Sequence, residues 1–548
     1  MNLRKILILA AMIFIPISTL ALTNRTDTLE VDGWEPAVEG IKGIEFQKFR
    51  LTNPAPVNVF VARMEIGNPD VIIESSIAQG RISGGVETVS SMADEYDQAL
   101  NNWPAEFTLP VTNTWGSRNN VVVAINGFYF GGGVELPGIP WSGQIHSGWY
   151  AKRYTDFESL SGFVWKMDRN YFIGECVTHP QDKQIVYIAD NEGSQYSFEI
   201  DGLNRPREDN ELILYTSQYD SNTDTNSNGI ELLIEMEKPT SITEINDNMP
   251  KGFIRQVNDY QGSTPIPFDH VVISANGTTA SELRATGIIT DGNRIAIAQK
   301  VKNCSSSNES NWNYAYAGVG GQFYFLRGGV IFDYSENGQA NVRDPRTAIA
   351  YNDDHIFFIV ADGRNLGGSE GMTVAEMAEF VKNTLKATDG IMQDGGGSST
   401  MVVDGKVVNN TICNEYSCKY HIFLPSLKNT SDSPTSFNQR YQRSVANGMM
   451  LVVVEPKEQS QQAYDPFDPV TTNGSIKVYL GPGDNYAVLP EQINGVGTIS
   501  DPLNKLGGVY AKGSYWWKVN FGSTEGWVIE TDISPILKYQ TAKEFKPR

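Results

Sequence analysis

Between about residue 55 and residue 455 the chain is written in short β-branched or aromatic runs, each stopped within a few residues by Gly, Asn, Asp or Pro. Runs of that length are too short for most helices and too apolar for a disordered chain, so the spacing predicts many short strands joined by turns. The clearest are Val57-Asn-Val-Phe-Val61, Val121-Val-Val-Ala-Ile125, Ile213-Leu-Tyr215, Val271-Val-Ile-Ser274, Ile295-Ala-Ile-Ala298, His355-Ile-Phe-Phe-Ile-Val360 and Met449-Met-Leu-Val-Val-Val454. Helical signals are few. The best is Thr373-Val-Ala-Glu376, a capping box in which the threonine oxygen and the glutamate satisfy orphan N–H groups. Met377, Val381 and Leu385 follow at helical spacing, and Gly390 is expected to close the helix as a left-handed cap. The expected fold class is α+β, sheet-rich with few helices. Hydrophobic residues make up 40 % of the 548 positions, enough apolar material to build cores and to exclude a disordered tether.

Charge excludes one class of partner. The chain holds 43 Lys and Arg against 64 Asp and Glu, a formal charge of −21, whereas a phosphate backbone attracts cationic surfaces. Nucleic acid is not an expected partner. At the start, Arg4 and Lys5 precede an apolar run from Ile6 to Leu22 with small residues at Ser18, Thr19 and Ala21, the pattern of a signal peptide over residues 1–21. The expected location is therefore secreted or periplasmic. No other stretch reaches the roughly 20 apolar residues that span a bilayer, so no transmembrane anchor is expected after signal cleavage. An oxidising compartment permits disulfides, and the four cysteines allow three pairings. Cys413 and Cys418 enclose only Asn-Glu-Tyr-Ser, an expected local staple; Cys176 and Cys304 then pair across a long stretch or stay free. Structural zinc is not expected, because the five histidines are scattered and no paired CxxC or HExxH occurs.

Composition divides the chain further. Residues 22–54 read as a lead-in, 55–455 as the main domain, and 456–473 as a linker in which Gln459-Ser-Gln-Gln462 and Asp465-Pro-Phe-Asp-Pro469 cluster. Residues 474–538 form a compact unit, followed by a tail over 539–548. In that unit Ile476-Lys-Val-Tyr-Leu-Gly-Pro-Gly483, Tyr515-Trp-Trp-Lys-Val519 and Glu525-Gly-Trp-Val528 alternate apolar and polar residues, as in a small all-β barrel. The two units are expected to have separate cores with few crossing contacts.

The segment richest in chemistry is Ile391-Met-Gln-Asp394-Gly-Gly-Gly-Ser398-Ser399-Thr400. Consecutive glycines let the backbone approach a ligand, and hydroxyl and N–H groups around it can hold anionic oxygens beside the Asp394 carboxylate. It is not a Walker A loop, since no Lys follows, and there is no G-x-S-x-G elbow. Upstream, Phe357-Phe-Ile-Val-Ala-Asp362-Gly-Arg364 sets a carboxylate and a guanidinium just past a strand, and Arg343-Asp-Pro-Arg346 adds two arginines suited to a bidentate grip on phosphate or carboxylate. Asn126 and Gly127 end another strand with a turn signal. A separate run, Asp224-Thr-Asn226-Ser-Asn228-Gly229 with Glu235 further on, has the spacing of a calcium loop, although position eight is Glu231 and Glu231-Leu-Leu-Ile-Glu235 reads as strand.

Taken in order, Asn126-Gly-Phe-Tyr-Phe, Leu203-Asn-Arg-Pro-Arg207 with Leu214-Tyr-Thr216, Pro345-Arg-Thr-Ala348, Val360-Ala-Asp-Gly-Arg364, Gly371-Met-Thr-Val-Ala-Glu-Met-Ala378 and Gln393-Asp-Gly-Gly-Gly-Ser-Ser-Thr400 resemble the phosphodiester glycosidase family. The resemblance spans roughly residues 55 to 455. Cys413, Cys418 and the stretch from Arg440 to Arg443 also resemble that family's closing segment; the approach Met392-Gln393 departs from its usual pattern. What the resemblance implies is a hydrolase that cleaves the sugar C1–O bond of a sugar-1-phosphodiester or related envelope glycan, releasing sugar and a phosphomonoester. In that scheme Asp394 and Asp362 are the catalytic carboxylates. Arg346, Arg364 and Arg443 hold the phosphate, while Asn126, Gly127, Gly395, Gly396, Gly397, Ser398, Ser399 and Thr400 position substrate. No cofactor is required, calcium at Asp224, Asn226, Asn228 and Glu235 being the one metal option. The segment 474–538 resembles a bacterial SH3-like (SH3b) domain, which implies a cell-wall glycan or polysaccharide partner. The alternative is a non-catalytic wall- or polysaccharide-binding protein.

Overall fold

The computed structural model describes residues 27–30, 33–96, 117–131, 138–154, 161–166, 168–237, 249–304, 312, 315–411, 442–455, 460–503, 507–511 and 513–536. The expected signal peptide, the Cys413–Cys418 staple and Arg440 lie outside these residues. Among the described residues strand accounts for 46 % and helix for 11 %, so the sheet-rich reading holds. All seven strands named from the sequence form, each running slightly further at one or both ends.

Ten elements position the site: β1 (Val57–Glu65), β2 (Val71–Ile77), β3 (Ser117–Asn126), β4 (Ala315–Arg327), β5 (Arg346–Tyr351), β6 (His355–Ala361), α1 (Val374–Asn383), β7 (Asp389–Met392), β8 (Met401–Val403) and β9 (Asn447–Glu455). Strands β1, β6, β5, β7 and β4 are successive neighbours in a 13-stranded sheet, while β8, β3, β9 and β2 are successive neighbours in a five-stranded one. The two sheets pack face to face. Phe60, Ala62 and Met64 of β1 and Ile356, Phe358 and Val360 of β6 meet Val122, Ile125, Met449 and Leu451 in one apolar core. The alternate residues, Val59, Val61, Phe357 and Ile359, point the other way and bury against Met377, Phe380 and Val381 of α1. Both faces of the large sheet are therefore covered, which is why its central strands read as near-continuous apolar runs and not as alternation.

Helix α1 begins as expected, with Thr373 Oγ1 accepting from Glu376 N–H at 3.2 Å and Glu376 Oε2 accepting from Thr373 N–H at 3.1 Å. It ends earlier than expected. The chain turns at Lys386, with φ at +58°, and Gly390 lies inside strand β7. Gly390 serves packing here: a Cβ at that position would sit 2.5 Å from the Phe325 ring. Gly390→Ala is accordingly expected to destabilise the fold by about 1–3 kcal/mol through overpacking, read as a shift in denaturant midpoint.

A third, eight-stranded sheet runs from Gln184–Ala189 through Arg294–Gln299, Lys251–Asp259, Gly229–Met236 and His270–Asn276. Cys176 and Cys304 form a disulfide beside it, so of the two states the sequence left open for them, paired or free, they are paired. The lead-in is also part of the architecture: Ile44–Asn53 pairs antiparallel with β1.

The C-terminal unit is a six-stranded antiparallel sheet that includes Pro469–Thr472, Ser514–Asn520 and Glu525–Ile529. Its boundary differs from expectation, because residues 460–473 belong to it. Ser460 and Gln461 bond the Glu530 carboxylate, Tyr464 packs edge-on to Trp517, and Val470 is fully buried. Nor is it a free-standing body. Phe268, from the turn before His270–Asn276, packs with Val509, Trp516 and Trp527, and Phe268 N–H donates to Leu480 O at 2.9 Å. At the same seam Lys518 Nζ lies 2.9 Å from Asp269 Oδ2, and His270 Nδ1 lies 2.7 Å from Asp269 Oδ1, with Lys518 and Asp269 both buried. Trp516, Trp517 and Trp527 are all buried, in the unit's core or in this seam.

Candidate active site

Strand β7 in the large sheet and β8 in the small one are joined by Gln393–Thr400, so the triple-glycine segment is the crossing between sheets. Its backbone is pinned on both sides. Asp394 N–H donates to Gly127 O at 3.0 Å, Gln393 N–H to Thr347 O at 2.8 Å and Gly396 N–H to Pro345 O at 2.8 Å. Asn126, at the end of β3, is a complete bracket: Nδ2 donates to Asp394 O (2.8 Å) and Gly127 O (3.1 Å), while Oδ1 accepts from Thr347 Oγ1 (2.8 Å) and Thr400 N–H (3.1 Å). All four hydrogen-bonding positions of the amide are filled within the protein, so its work is to hold the turn. The N–H groups of Ser398 and Ser399 are likewise taken, by Gly395 O and Gly396 O. The hydroxyls of Ser399 and Thr400 are buried beneath the turn. The crossing is thus held by internal bonds, and apart from its own Asp394 the ionic groups around it come from other elements.

Asp394 is only 7 % exposed, and burial pushes its carboxyl up to about 6 against the lowering influence of a Ser398 hydrogen bond, Arg443 and the Gly395 N–H. Arg443 donates from Nη1 to Ser398 Oγ at 3.3 Å and lies over the Phe130 ring, 5.5 Å from its centroid. Arg364, in a left-handed conformation at φ +56°, forms a two-point ion pair with Asp344, at 2.8 Å from Nε and 3.1 Å from Nη2. That pair is seated on Gly396, where a Cβ would lie 2.9 Å from Arg364 Nη2 and 3.0 Å from Asp344 Oδ2. The second glycine of the three is therefore required by close approach as well as by its own φ of +62°.

The remaining arginine and carboxylate predicted for the site have other partners. Arg346 donates from Nε to Met372 O and from Nη2 to Gln339 O and Val342 O, which leaves Nη1 as the side facing Gly395. Burial lowers its basicity. Asp362 is fully buried, accepting from Asn410 N–H (2.9 Å) and Asn410 Nδ2 (2.7 Å) and lying 3.5 Å from Asn409 Nδ2. Burial raises its pKa against those bonds. A carboxylate so enclosed fastens the 409–410 loop to the end of β6.

The calcium-type residues are not brought together. After Asn228 the chain enters the strand Gly229–Met236 instead of turning back, so Glu235 is carried roughly 20 Å along an extended segment. Its carboxylate accepts from Arg255 Nε at 2.7 Å and Leu503 N–H at 2.8 Å. Asn226 Oδ1 accepts from Asn228 N–H and Arg207. Glu231 closes the loop by accepting from Thr223, Thr225 and Ser274 hydroxyls.

Residues 240–424 match the family model for phosphodiester glycosidase. The match is shorter than half the chain. It contains Asp344, Arg346, Asp362, Arg364 and the whole triple-glycine crossing, and it leaves Asn126 and Arg443 outside. No curated protein matches the chain. Among solved structures it is similar to a hypothetical protein from Synechocystis at 14 % identity, covering 78 % of this chain and 68 % of that one with a TM-score of 0.46. A putative exported protein from Burkholderia pseudomallei K96243 is similar at 18 % identity, with 74 % and 76 % covered and a TM-score of 0.42. The catalytic domain of zebrafish N-acetylglucosamine-1-phosphodiester alpha-N-acetylglucosaminidase, auto-inhibited by its pro-peptide, is similar at 12 % identity, with 79 % and 88 % covered and a TM-score of 0.34. At the level of class the family match supports a glycosidase and hence a carbohydrate substrate. Among the described residues no helix is long and apolar enough to cross a membrane.

Two residues at the site were not picked out by sequence reasoning. Asp344 lies inside the quoted Arg343-Asp-Pro-Arg346 run, where the arginines drew attention and the acid between them did not. Arg343 turns out to bind Glu376 and Gly371 O, whereas Asp344 faces the crossing. Tyr129 lies in the quoted Asn126-Gly-Phe-Tyr-Phe run; burial, and then the charge of Asp394, raises its pKa. The sequence signal for Asp344 is Pro at 345, which fixes the backbone beside it; that Gly363, Gly371 and Gly396 lie against the Asp344–Pro345 segment is visible only in the fold.

Proposed function

We propose that the protein is an exported hydrolase that cleaves the C1–O bond of a sugar-1-phosphodiester, giving free sugar and a phosphomonoester. The observation that carries this reading is the nearly buried Asp394 carboxyl, raised to about 6, set beside Arg443 and the Arg364–Asp344 pair on a turn too tight to hold any side chain at Gly396. A phosphomonoester leaves readily, so the reaction asks less of a general acid and more of cations that absorb the growing charge. Arg364, Arg443 and the free side of Arg346 supply those cations in this reading. Ionised Asp394 stabilises positive charge at C1 or draws a proton from the attacking water, and Asp344 takes the place first given to Asp362 as the second carboxylate. Export rests on the N-terminal signal pattern. A wall-glycan ligand for the C-terminal unit, as its SH3-like sequence pattern implies, needs a face other than the tryptophans, which are buried.

The test is to incubate the purified full chain with a panel of sugar-1-phosphodiesters and p-nitrophenyl glycosides and to look for released sugar. Sugar and phosphomonoester from a diester support the reading; binding without release from any substrate gives the non-catalytic one. On a confirmed substrate, Arg364→Ala is expected to raise KM about tenfold more for phosphodiesters than for neutral glycosides, because the lost contact is with phosphate oxygens. It also leaves the Asp344 charge uncompensated beside Asp394, so the acid limb of kcat/KM should move to higher pH. Equal effects on both substrate types would remove Arg364 from the phosphate clamp.

A further inference from the structure

Gly127, whose carbonyl receives the Asp394 N–H, is followed by a two-stranded arm. Residues 128–131 run out and 138–141 run back, with Gly131 N–H donating to Ile139 O at 2.9 Å, Trp141 N–H to Tyr129 O at 2.8 Å, and Phe130 bridged to Pro140. Side chains alternate across such a pair, so the opposed residues Tyr129 and Trp141 share one face while Phe130 takes the other. The two rings meet at 6.0 Å between centroids and 44° between planes, and Phe130 lies under Arg443. Tyr129 is half-buried and within the electrostatic reach of Asp394, Arg346 and Asp344. Trp141, by contrast, is 54 % exposed.

A single exposed tryptophan is ordinary on a protein surface. This one is held by a cross-strand bond and backed by a second ring, Tyr129, which itself lies within electrostatic reach of Asp394, Asp344 and Arg346. We propose that Trp141, backed by Tyr129, is the stacking platform for the pyranose ring of the substrate. It would take the apolar C–H face of the sugar while the arginines take the phosphate. The proposal rests on the phosphodiester reading for the placing of phosphate, and it names what that reading leaves open: a rigid ring, and not an open-chain polyol, occupies the glycone position. Aromatic rings contribute large flat apolar area at little cost in conformational entropy, which suits them to a ligand whose polar groups are otherwise spread around its rim.

The experiment uses the full chain and two probes that share a phosphomonoester but differ in the ring, N-acetylglucosamine 1-phosphate and glycerol 3-phosphate. Binding is followed by isothermal titration and by tryptophan fluorescence. Trp141→Ala should weaken the sugar phosphate roughly tenfold and leave glycerol phosphate within about twofold. Trp141→Phe should restore most of the loss, and the fluorescence response to the sugar phosphate should vanish in both variants. Because Trp141 is exposed, its truncation should leave the unfolding midpoint within error. The proposal is overturned if the wild type does not bind the sugar phosphate, if Trp141→Ala binds it unchanged, or if both probes weaken alike. Sugar phosphate bound through Trp141 with no diester cleaved upholds the platform and removes the hydrolase reading. Diester cleavage with KM unchanged in Trp141→Ala does the reverse.

Discussion

Asp394→Asn is expected to lower turnover on a confirmed substrate by at least about a hundredfold while stabilising the folded protein at neutral pH. The two effects have one cause. The carboxyl is nearly buried and its folded-state pKa is raised from the ordinary 3.8 to about 6, so the fold binds its proton more tightly than the unfolded chain does. Stability therefore falls as pH rises through the window from about 4 to about 6, and above it the protein carries the whole cost of an ionised, poorly solvated group. That cost is on the order of 2–3 kcal/mol, and a neutral amide of the same size avoids it. Asn should also keep the bonds from Ser398 and Gly395. Denaturant midpoints for wild type and variant should converge below about pH 4 and separate at pH 7, with the variant higher. In activity, kcat/KM of the wild type should climb with pH through about 6, since the reaction uses the ionised form. A variant with near-wild-type turnover would return the triple-glycine segment to a structural turn, and a rate falling through pH 6 would make Asp394 a general acid instead.

Lys518→Met is expected to cost about 3–5 kcal/mol of stability, because it removes the ammonium partner from a buried carboxylate at the seam between the C-terminal unit and the eight-stranded sheet. Burial by itself would push Asp269 up; Lys518, with His270, holds it well below the carboxylate range. Lys518 is 6 % exposed at its side chain and Asp269 is 0 %, so water cannot replace the lost partner. Adding Asp269→Leu to Lys518→Met should recover most of the loss, since replacing both members of a buried pair with apolar groups is often neutral. For the same reason a chain stopped after Glu455, which exposes Phe268 and Asp269, should unfold at lower denaturant than the full chain. A Lys518→Met variant within about 1 kcal/mol of wild type would mean that the apolar contacts of Phe268 with Trp516 and Trp527 hold the seam unaided.

How far the sequence could be read depended on whether the relevant partner was near in the chain. Short β-branched and aromatic runs stopped by turn residues identified the strands, because strand preference and turn chemistry both act within a few residues of the chain. The capping box at Thr373 and Glu376 was legible for the same reason: both partners lie within one turn. The far end of α1 was misread because Gly390 answers to Phe325, sixty-five positions away, and not to the helix before it. Glu235 matched a calcium spacing, yet strand pairing carried it off to Arg255.

At the candidate site the sequence determined by itself that a carboxylate, a run of glycines and several arginines occur close together in the chain, since such motifs are contiguous. Which groups face one another was decided only by the tertiary structure. Arg346 pairs in register with Ala361, and Asp344 and Arg364 extend just beyond that pair, so sheet register brings the acid to the guanidinium and both to Gly396. The same strand end points Asp362 the other way, into Asn409 and Asn410. A shift of one residue along a strand exchanges its faces, so the pairing of β5 with β6, and the packing of that hairpin's end on Gly396, decide which of the two aspartates reaches the site.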